Sequence, residues 1–213
     1  MDMGRGETDG TNWWYVVRAE DIWGNEEANT VAVPEEAIGT LTVDVPVSAT
    51  PGWNFISYTL LMSGSPESVL DDLAGDGTTQ WSVVKCYDAS DAADPWKTYR
   101  PGSSTNDLLS IDNMCGIWVY VTVPGDNWLT VEGIMPTTTD IQLYTGWNLV
   151  GYPSATPRNA DTTLPAEADM ISVYDIGSPY LITDESDLSS VTMTDCNAYW
   201  VHVTADCLWT VTY

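Results

Sequence analysis

The sequence predicts an all-β fold with two related β-sandwich-like modules that follow an N-terminal β-hairpin. Helix signals are nearly absent, and Thr- and Val-rich segments alternate apolar with polar residues between interruptions by Gly, Pro, Asp and Asn. The tripeptide Gly-Trp-Asn occurs at 52–54 and again at 146–148. Because each copy opens a stretch with the same order of landmarks, the sequence indicates an internal duplication.

The duplication divides the chain into three units. After Gly-Trp-Asn, both copies contain Tyr-Asp, then Pro with an aromatic residue, then Asp-Leu, and both close on Thr-Val. Trp118-Val-Tyr-Val-Thr in the first copy matches Trp200-Val-His-Val-Thr in the second. Differences in length fall between landmarks, where loops tolerate insertion. We therefore predict an N-terminal segment at 1–36, a first module at 37–134 and a second module at 135–213.

The N-terminal segment has its own pattern. Residues 14 to 19 alternate between two faces, Gly24-Asn25 offers a turn, and residues 30–33 return. This pattern predicts a two-strand hairpin. Over residues 13–33 the sequence resembles the last two strands of a fibronectin type III domain.

Within the modules, each Gly-Trp-Asn is predicted to begin a strand. Ile117, Val119 and Val121 share one face of a later strand, and residues 199–204 alternate in the same way. A turn and a further strand follow each of these segments, so we predict a β-hairpin at both places.

One short helix is predicted, from Pro66 to Leu73. Ser65 can cap it, Pro66 suits the first helical position, and Glu67 favours the first turn.

The composition is that of a folded, strongly acidic protein. Hydrophobic residues make up 44% of the 213 residues, and 6 basic against 31 acidic residues give a net charge of −25. Such a surface repels nucleic acid and anionic lipid, so neither is expected as a partner. No apolar run approaches the roughly 18 to 20 residues of a membrane helix, so membrane insertion is not expected. The N-terminus lacks the pattern of a signal peptide, which suggests a piece of a longer precursor if the protein is extracellular.

The four cysteines divide two per copy and lack metal-type spacing, which suggests disulfides in an oxidising compartment. Cys86 and Cys115 are the candidate disulfide, provided that their strands are neighbours. Cys196 and Cys207 would need a bend between them or different partners, because the strand between them is too long for a direct bond.

Several longer stretches carry a resemblance to a known family. They are 129–132 (LTVE), 141–154 (IQLYTGWNLVGYPS), 199–203 (YWVHV), 87–92 (YDASDA) and 94–102 (DPWKTYRPG). In these stretches the chain from residue 37 onward resembles the C-terminal β-modules of large secreted archaeal surface proteins. The resemblance implies a location on the cell surface and no particular reaction, and the four cysteines depart from the family pattern.

Tryptophans are the most conspicuous candidates for ligand binding, since aromatic faces stack on sugar rings. Trp53 and Trp118 each have a counterpart in the second copy, which favours a packing role for the shared tryptophans. Trp14, Trp23 and Trp81 have no counterpart, so we expect any exposed aromatic patch to form there.

No catalytic, cofactor-binding or metal-binding residues are predicted. The only histidine, His202, matches Tyr120 of the first copy, and no serine stands in a nucleophile elbow. Asp88, Asp91 and Asp94 form an acidic cluster that could attract calcium. Because the EF-hand spacing is absent, a solvated acidic loop is the favoured interpretation.

The function that these observations favour is an extracellular structural or adhesion role without enzymatic activity. A two-strand hairpin leaves backbone edges unpaired, so we expect it to pack on a neighbouring module or on another copy of the chain. The candidate assembly surface is Trp14, Val16, Trp23, Val31 and Val33. The partners expected are further copies of the chain or neighbouring surface subunits. The alternative is a carbohydrate-binding module of a secreted protein, with a polysaccharide as the partner.

Overall fold

The computed structural model describes residues 52–70, 80–122, 136–175, 178 and 181–213, together with four short strands outside these ranges. The fold is all-β, as the sequence predicts. The N-terminal segment and first module contain β1 (Trp14–Tyr15), β2 (Val33–Pro34), β3 (Thr40–Val43), β4 (Gly52–Ile56), β5 (Ser63–Gly64), β6 (Trp81–Tyr87), β7 (Trp96–Tyr99), β8 (Ile111–Asp112), β9 (Ile117–Val121) and β10 (Leu129–Glu132). The second module contains β11 (Thr138–Leu143), β12 (Gly146–Gly151), β13 (Arg158–Asn159), β14 (Ala168–Tyr174), β15 (Ile182–Glu185), β16 (Thr192–Met193), β17 (Ala198–Val203) and β18 (Cys207–Thr212).

Each module contains a four-stranded antiparallel sheet with the same strand arrangement. The order is β4-β9-β6-β7 in the first module and β12-β17-β14-β15 in the second. The registers also coincide, since Trp53 pairs with Tyr120 just as Trp147 pairs with His202. The register shifts at one point in the β6–β9 pairing and at the corresponding point in the β14–β17 pairing. The internal duplication is therefore a duplication of strand order and register.

Smaller strand pairs complete each module. β3 pairs with β10 near the two ends of the first module, and β11 pairs with β18 near the two ends of the second. The short pairs β5–β8 and β13–β16 also occupy matching places. Each of these pairs lies within one of the predicted modules.

The Gly-Trp-Asn tripeptide begins a strand in both copies, as predicted. Gly146 has a φ of 101°, a conformation that favours glycine. Asn148 is buried, and its amide group donates to the carbonyls of Tyr144 (2.7 Å) and Gly146 (3.0 Å) and accepts from the Tyr144 amide (2.9 Å). Asn54 is also buried, and its amide donates to the Gly52 carbonyl at 3.2 Å. The tripeptide therefore fixes the start of the strand.

Each module has its own hydrophobic core on one face of its sheet. In β9, Ile117, Val119 and Val121 are fully or almost fully buried, whereas Trp118 and Tyr120 on the opposite face are half-buried. This alternation is the one that the sequence predicts. In the second module, Trp209 of β18 is buried in the core, stacks with Tyr152 and donates its indole N–H to the Thr163 carbonyl at 2.6 Å.

The prediction that β9 and β17 each enter a hairpin with the following strand is wrong. β9 pairs with β4 and β6, and β17 pairs with β12 and β14. A strand with neighbours on both sides has no free edge, so the chain that follows it must pair elsewhere. β10 pairs with β3, and β18 pairs with β11.

The predicted helix forms and is shorter than expected within the described residues. α1 spans Pro66–Val69, and the Ser68 amide donates to the Ser65 hydroxyl at 3.3 Å as the cap. A second helix, α2 (Ala160–Thr163), holds the matching place in the second module and was not predicted. Its brevity explains the missing signal, since one turn has no apolar periodicity. No helix in the described part of the chain is long and apolar enough to cross a membrane.

The N-terminal strands β1 and β2 form an antiparallel pair, with Trp14 opposite Pro34 and Tyr15 opposite Val33. Within the described part of the chain, this pair has no third strand. The predicted turn at 24–25 lies outside the described residues.

Candidate functional site

The outer faces of the two four-stranded sheets pack against each other. Phe55 of β4, Leu149 of β12 and Ala198 of β17 form a buried cluster between the modules. Four half-buried aromatic residues pack around this cluster: Tyr87, Trp118, Tyr174 and Trp200. Phe55 and Leu149 occupy the same position in the two copies, as do Trp118 and Trp200. The shared aromatic residues therefore hold one module against the other, in agreement with the packing role predicted for them.

Backbone hydrogen bonds join the modules reciprocally. The Ser57 amide donates to the Cys196 carbonyl at 3.0 Å, and the Gly151 amide donates to the Met114 carbonyl at 2.8 Å. Ser57 directly follows β4, and Gly151 is the last residue of β12. Both lie at the same distance along the chain from their Gly-Trp-Asn tripeptide. The contact is self-complementary, like that of a twofold-symmetric dimer.

Glycine allows the backbones to approach this closely. A Cβ atom on Gly151 would lie 2.8 Å from the Asn113 carbonyl oxygen and 2.9 Å from Ser57 Cβ. A Cβ atom on Gly116 would lie 2.7 Å from the Val150 carbonyl oxygen. Both contacts reach across the module boundary, so these glycines set the distance between the sheets.

An aromatic cluster reaches the surface at one side of this interface. Tyr87, Trp96 and Trp200 contact one another edge to face, with centroid distances of 5.3 Å (Tyr87–Trp96), 5.0 Å (Tyr87–Trp200) and 5.6 Å (Trp96–Trp200). Trp96 is 42% exposed. The first module supplies Tyr87 and Trp96, whereas the second supplies Trp200.

Beside this cluster lies a cleft of about 340 Å3. Its lining residues are Tyr87, Trp147, Ser172, Ile182, Asp184 and Trp200. The Ser172 hydroxyl is buried and donates to Asp184 Oδ1 at 2.5 Å, while Asp184 itself is exposed. Neighbouring strands bring these groups together, because Ser172 pairs with Trp200 on one side and with Asp184 on the other. The cleft thus offers flat apolar surfaces next to an oriented carboxylate.

The corresponding positions of the first module carry different side chains. Lys85 pairs with Trp118 and Thr98 as Ser172 pairs with Trp200 and Asp184. The Lys85 ammonium lies 5.8 Å from the centroid of the Trp96 ring. The carboxylate that lines the cleft is therefore particular to the second module.

The structure corrects the prediction for one of the three tryptophans that have no counterpart, Trp81. Trp81 is 4% exposed and belongs to the core of the first module, where its ring lies 6.1 Å from that of Tyr99. A tryptophan without a counterpart can still be core, because the two cores need not be filled by the same side chains. Trp14 lies in β1, where only the strand is described, and Trp23 lies outside the described residues.

The exposed aromatic residue that the sequence reasoning missed is Trp96. It follows an acidic turn and stands at the start of an outer strand of its sheet. Ser172 and Asp184 were missed as well. They differ between the two copies, but finding that difference requires the strand register.

Of the candidate assembly surface, Trp14 and Val33 lie in the paired strands β1 and β2. Val16, Trp23 and Val31 lie outside the described residues. The proposed surface therefore stays a prediction.

One lysine partly offsets the charge of the acidic loop formed by Asp88, Asp91 and Asp94. Lys97 Nζ lies 2.6 Å from Asp91 Oδ2 and 4.0 Å from Asp94 Oδ2. The hydrogen bond from Lys97 lowers the pKa of Asp91, and the same bond raises the pKa of Lys97. Asp88 accepts from the Ser90 amide at 3.0 Å. Among the described residues, no group of three or more His, Cys, Asp or Glu side chains could hold a metal ion.

His202 lies on the outer face of the second sheet. Its Nδ1 atom lies 2.6 Å from Asp169 Oδ1, and its ring contacts Trp147 edge to face at 5.2 Å. His202 occupies the position of Tyr120, as the sequence alignment of the copies predicts.

The predicted disulfide between Cys86 and Cys115 is not formed, and none of the four cysteines is in a disulfide. The Cys115 thiol does contact Cys86 through a hydrogen bond, and this contact together with burial raises the pKa of Cys115. They line a second cleft, of about 560 Å3, that also contains Asp140 and Leu149 from the other module. Neighbouring strands brought the thiols near each other without the geometry that a disulfide requires.

Comparison of the chain with protein-family models, with curated proteins and with solved structures gave no match.

Proposed function

We propose that this protein is an extracellular structural or adhesion protein of the cell surface, without enzymatic activity. The observation that carries the proposal is the use of large apolar side chains at matching positions of the two copies. A self-complementary interface joins the two related modules, and it contains Phe55, Trp118, Leu149 and Trp200. An arrangement of this kind suits a spacer or building block. The net charge of −25 keeps such a surface solvated.

Assembly through the N-terminal hairpin is the second part of the proposal. Within the described part of the chain, β1 and β2 pair only with each other. Because an isolated two-stranded pair is only marginally stable in water, it gains by accepting a further strand. A neighbouring module or a second copy of the chain would supply that strand.

Sedimentation velocity over a concentration series, combined with electron microscopy of the full chain, tests the assembly. Val16→Lys places a charge at the proposed surface and should abolish association, because charged residues on an edge block strand pairing. Leu109→Lys is the matched control, since Leu109 is 76% exposed and lies outside the hairpin. A chain that stays monomeric at high concentration, with the hairpin protected from protease, would contradict assembly.

The alternative function is that of a carbohydrate-binding module of a secreted protein. The aromatic cleft lined by Trp147 and Trp200 favours it. A change of tryptophan fluorescence on addition of polysaccharide is expected under this alternative, and an unchanged spectrum is expected for a purely structural role.

A further inference from the structure

We propose that the cleft lined by Tyr87, Trp147, Ser172, Ile182, Asp184 and Trp200 binds one ring of a neutral glycan. This site differs from the tryptophans singled out in the sequence. It concerns the alternative function and does not depend on assembly through the hairpin.

The aromatic walls are held in place before any ligand arrives. Trp200 is held edge to face by Tyr87 and Trp96, and Trp147 contacts His202 at 5.2 Å. Rings fixed in this way lose little conformational freedom on binding. Their electron-rich faces attract the partly positive C–H groups on one side of a pyranose ring.

The polar group of the cleft is an acceptor of hydrogen bonds. Ser172 donates to Asp184 Oδ1 and so orients the carboxylate. An ionised carboxylate accepts at both oxygens and has about four acceptor sites, so most remain open after this bond. Sugar hydroxyls are donors of the matching kind, and hydrogen bonds to an ionised group are the stronger ones.

Charge decides which glycans fit. A protein with a net charge of −25 repels uronic acids and sulfated sugars. The carboxylate would also attract a cationic ligand. However, the chain itself already places a cation beside this aromatic cluster, because the Lys85 ammonium lies over the Trp96 ring. The neutral sugar uses both the ring faces and the acceptor.

The first module provides an internal comparison. Where the second module has Ser172 and Asp184, the first has Lys85 and Thr98 on an equivalent frame. The frame is shared, so the carboxylate is the feature that gives the second module a sugar-binding position.

Proton–nitrogen NMR of the 15N-labelled full chain tests the site, because each tryptophan gives one indole N–H signal. The probes are maltose, cellobiose and diacetylchitobiose, each raised to tens of millimolar, with tetramethylammonium as the cationic comparison. At least one disaccharide should shift the indole signals of Trp147 and Trp200. The signals of Trp81 and Trp209 should stay in place, because both side chains are buried in the cores.

Asp184→Asn should weaken disaccharide binding about tenfold, since it removes a charged acceptor. Asp161→Asn is the matched control, because Asp161 is an exposed carboxylate in the first turn of α2, away from the cleft. Absence of a shift with all three sugars, a shift with tetramethylammonium alone, or equal binding by the Asp184 variant would each overturn the proposal.

Discussion

The backbone amide of Ser57 donates to the carbonyl of Cys196 at 3.0 Å, across the boundary between the modules. Its counterpart, from Gly151 to Met114, is 2.8 Å long. Each module thus gives and receives the same contact, as in a dimer with twofold symmetry. The buried cluster of Phe55, Leu149 and Ala198 lies between the same faces. The modules therefore behave as one packed unit, which leads to the first prediction.

Gly151→Ala should lower the free energy of unfolding by about 1 to 3 kcal/mol, because the new methyl group overlaps the Asn113 carbonyl and Ser57. Chemical denaturation followed by circular dichroism measures the loss. Gly64→Ala is the control, because its new Cβ would meet side-chain atoms of Ser68 and Val69 within one module and no backbone of the other. Equal losses in both variants would contradict the importance of the module contact.

Asn148→Ala should destabilise the protein by about 1 to 3 kcal/mol, since it removes a buried amide and leaves the partly buried backbone groups of Tyr144 without its hydrogen bonds. The same denaturation experiment measures the effect. Asn54→Ala should destabilise the protein less, because among the described residues the hydrogen-bond partner of the Asn54 amide is the Gly52 carbonyl. The prediction fails if the first-module variant is the more damaging one.

Tyr58→Phe should leave stability unchanged or raise it by up to about 1 kcal/mol. The Tyr58 hydroxyl is buried and has no hydrogen-bond partner among the described residues, and this burial raises the pKa of Tyr58. Tyr152 is its counterpart, and its hydroxyl donates to the Thr156 carbonyl at 2.8 Å. Tyr152→Phe should therefore cost about 1 kcal/mol. Thermal melts of both variants give the comparison, and a larger loss for Tyr58→Phe would refute it.

Asp206 should contribute stability that disappears in acid. Hydrogen bonds from the Thr145 amide and hydroxyl lower the pKa of Asp206 below its ordinary value of 3.8. A depressed folded-state pKa stabilises above the unfolded value, and the contribution is lost as pH falls through the folded value. The difference in stability between the wild type and Asp206→Asn should therefore shrink below about pH 4. Relief of repulsion among the other carboxylates affects both proteins alike, so a constant difference would contradict this assignment.

Alkylation of the denatured protein without reductant should add four groups, one for each cysteine, because none is in a disulfide. In the native protein Cys115 should react slowly, because its neighbour Cys86 and burial raise its pKa and the thiolate is the reactive form. Intact-mass spectrometry reads both results. A gain of only two groups after denaturation would contradict this prediction and would support the disulfide that the sequence suggested.

Much of the architecture could be predicted because its signals are local. The alternation at Ile117, Val119 and Val121 gives the buried face of β9, and the matching of Tyr120 with His202 agrees with the observed registers. The pairing partners of β10 and β18, the strands that follow β9 and β17, could not be predicted correctly. Alternation reports which face is buried but carries no information about which edge is paired.

The candidate site was harder still to predict. Trp81 and Trp96 are both tryptophans in the first module, yet one is core and the other 42% exposed. Residue type does not distinguish them, because exposure depends on what packs against each face. The cleft also joins Tyr87 of one module to Asp184 of the other.

The sequence by itself determined the all-β class and the duplication, since periodicity and repetition are properties of neighbouring residues along the chain. Only the tertiary structure decided how the copies meet. The outer faces pack because Phe55, Leu149 and Ala198 bury apolar surface there, and Gly116 and Gly151 let the backbones touch. That contact also completes the cleft, because it places Tyr87 of the first module beside Trp147, Trp200 and Asp184 of the second.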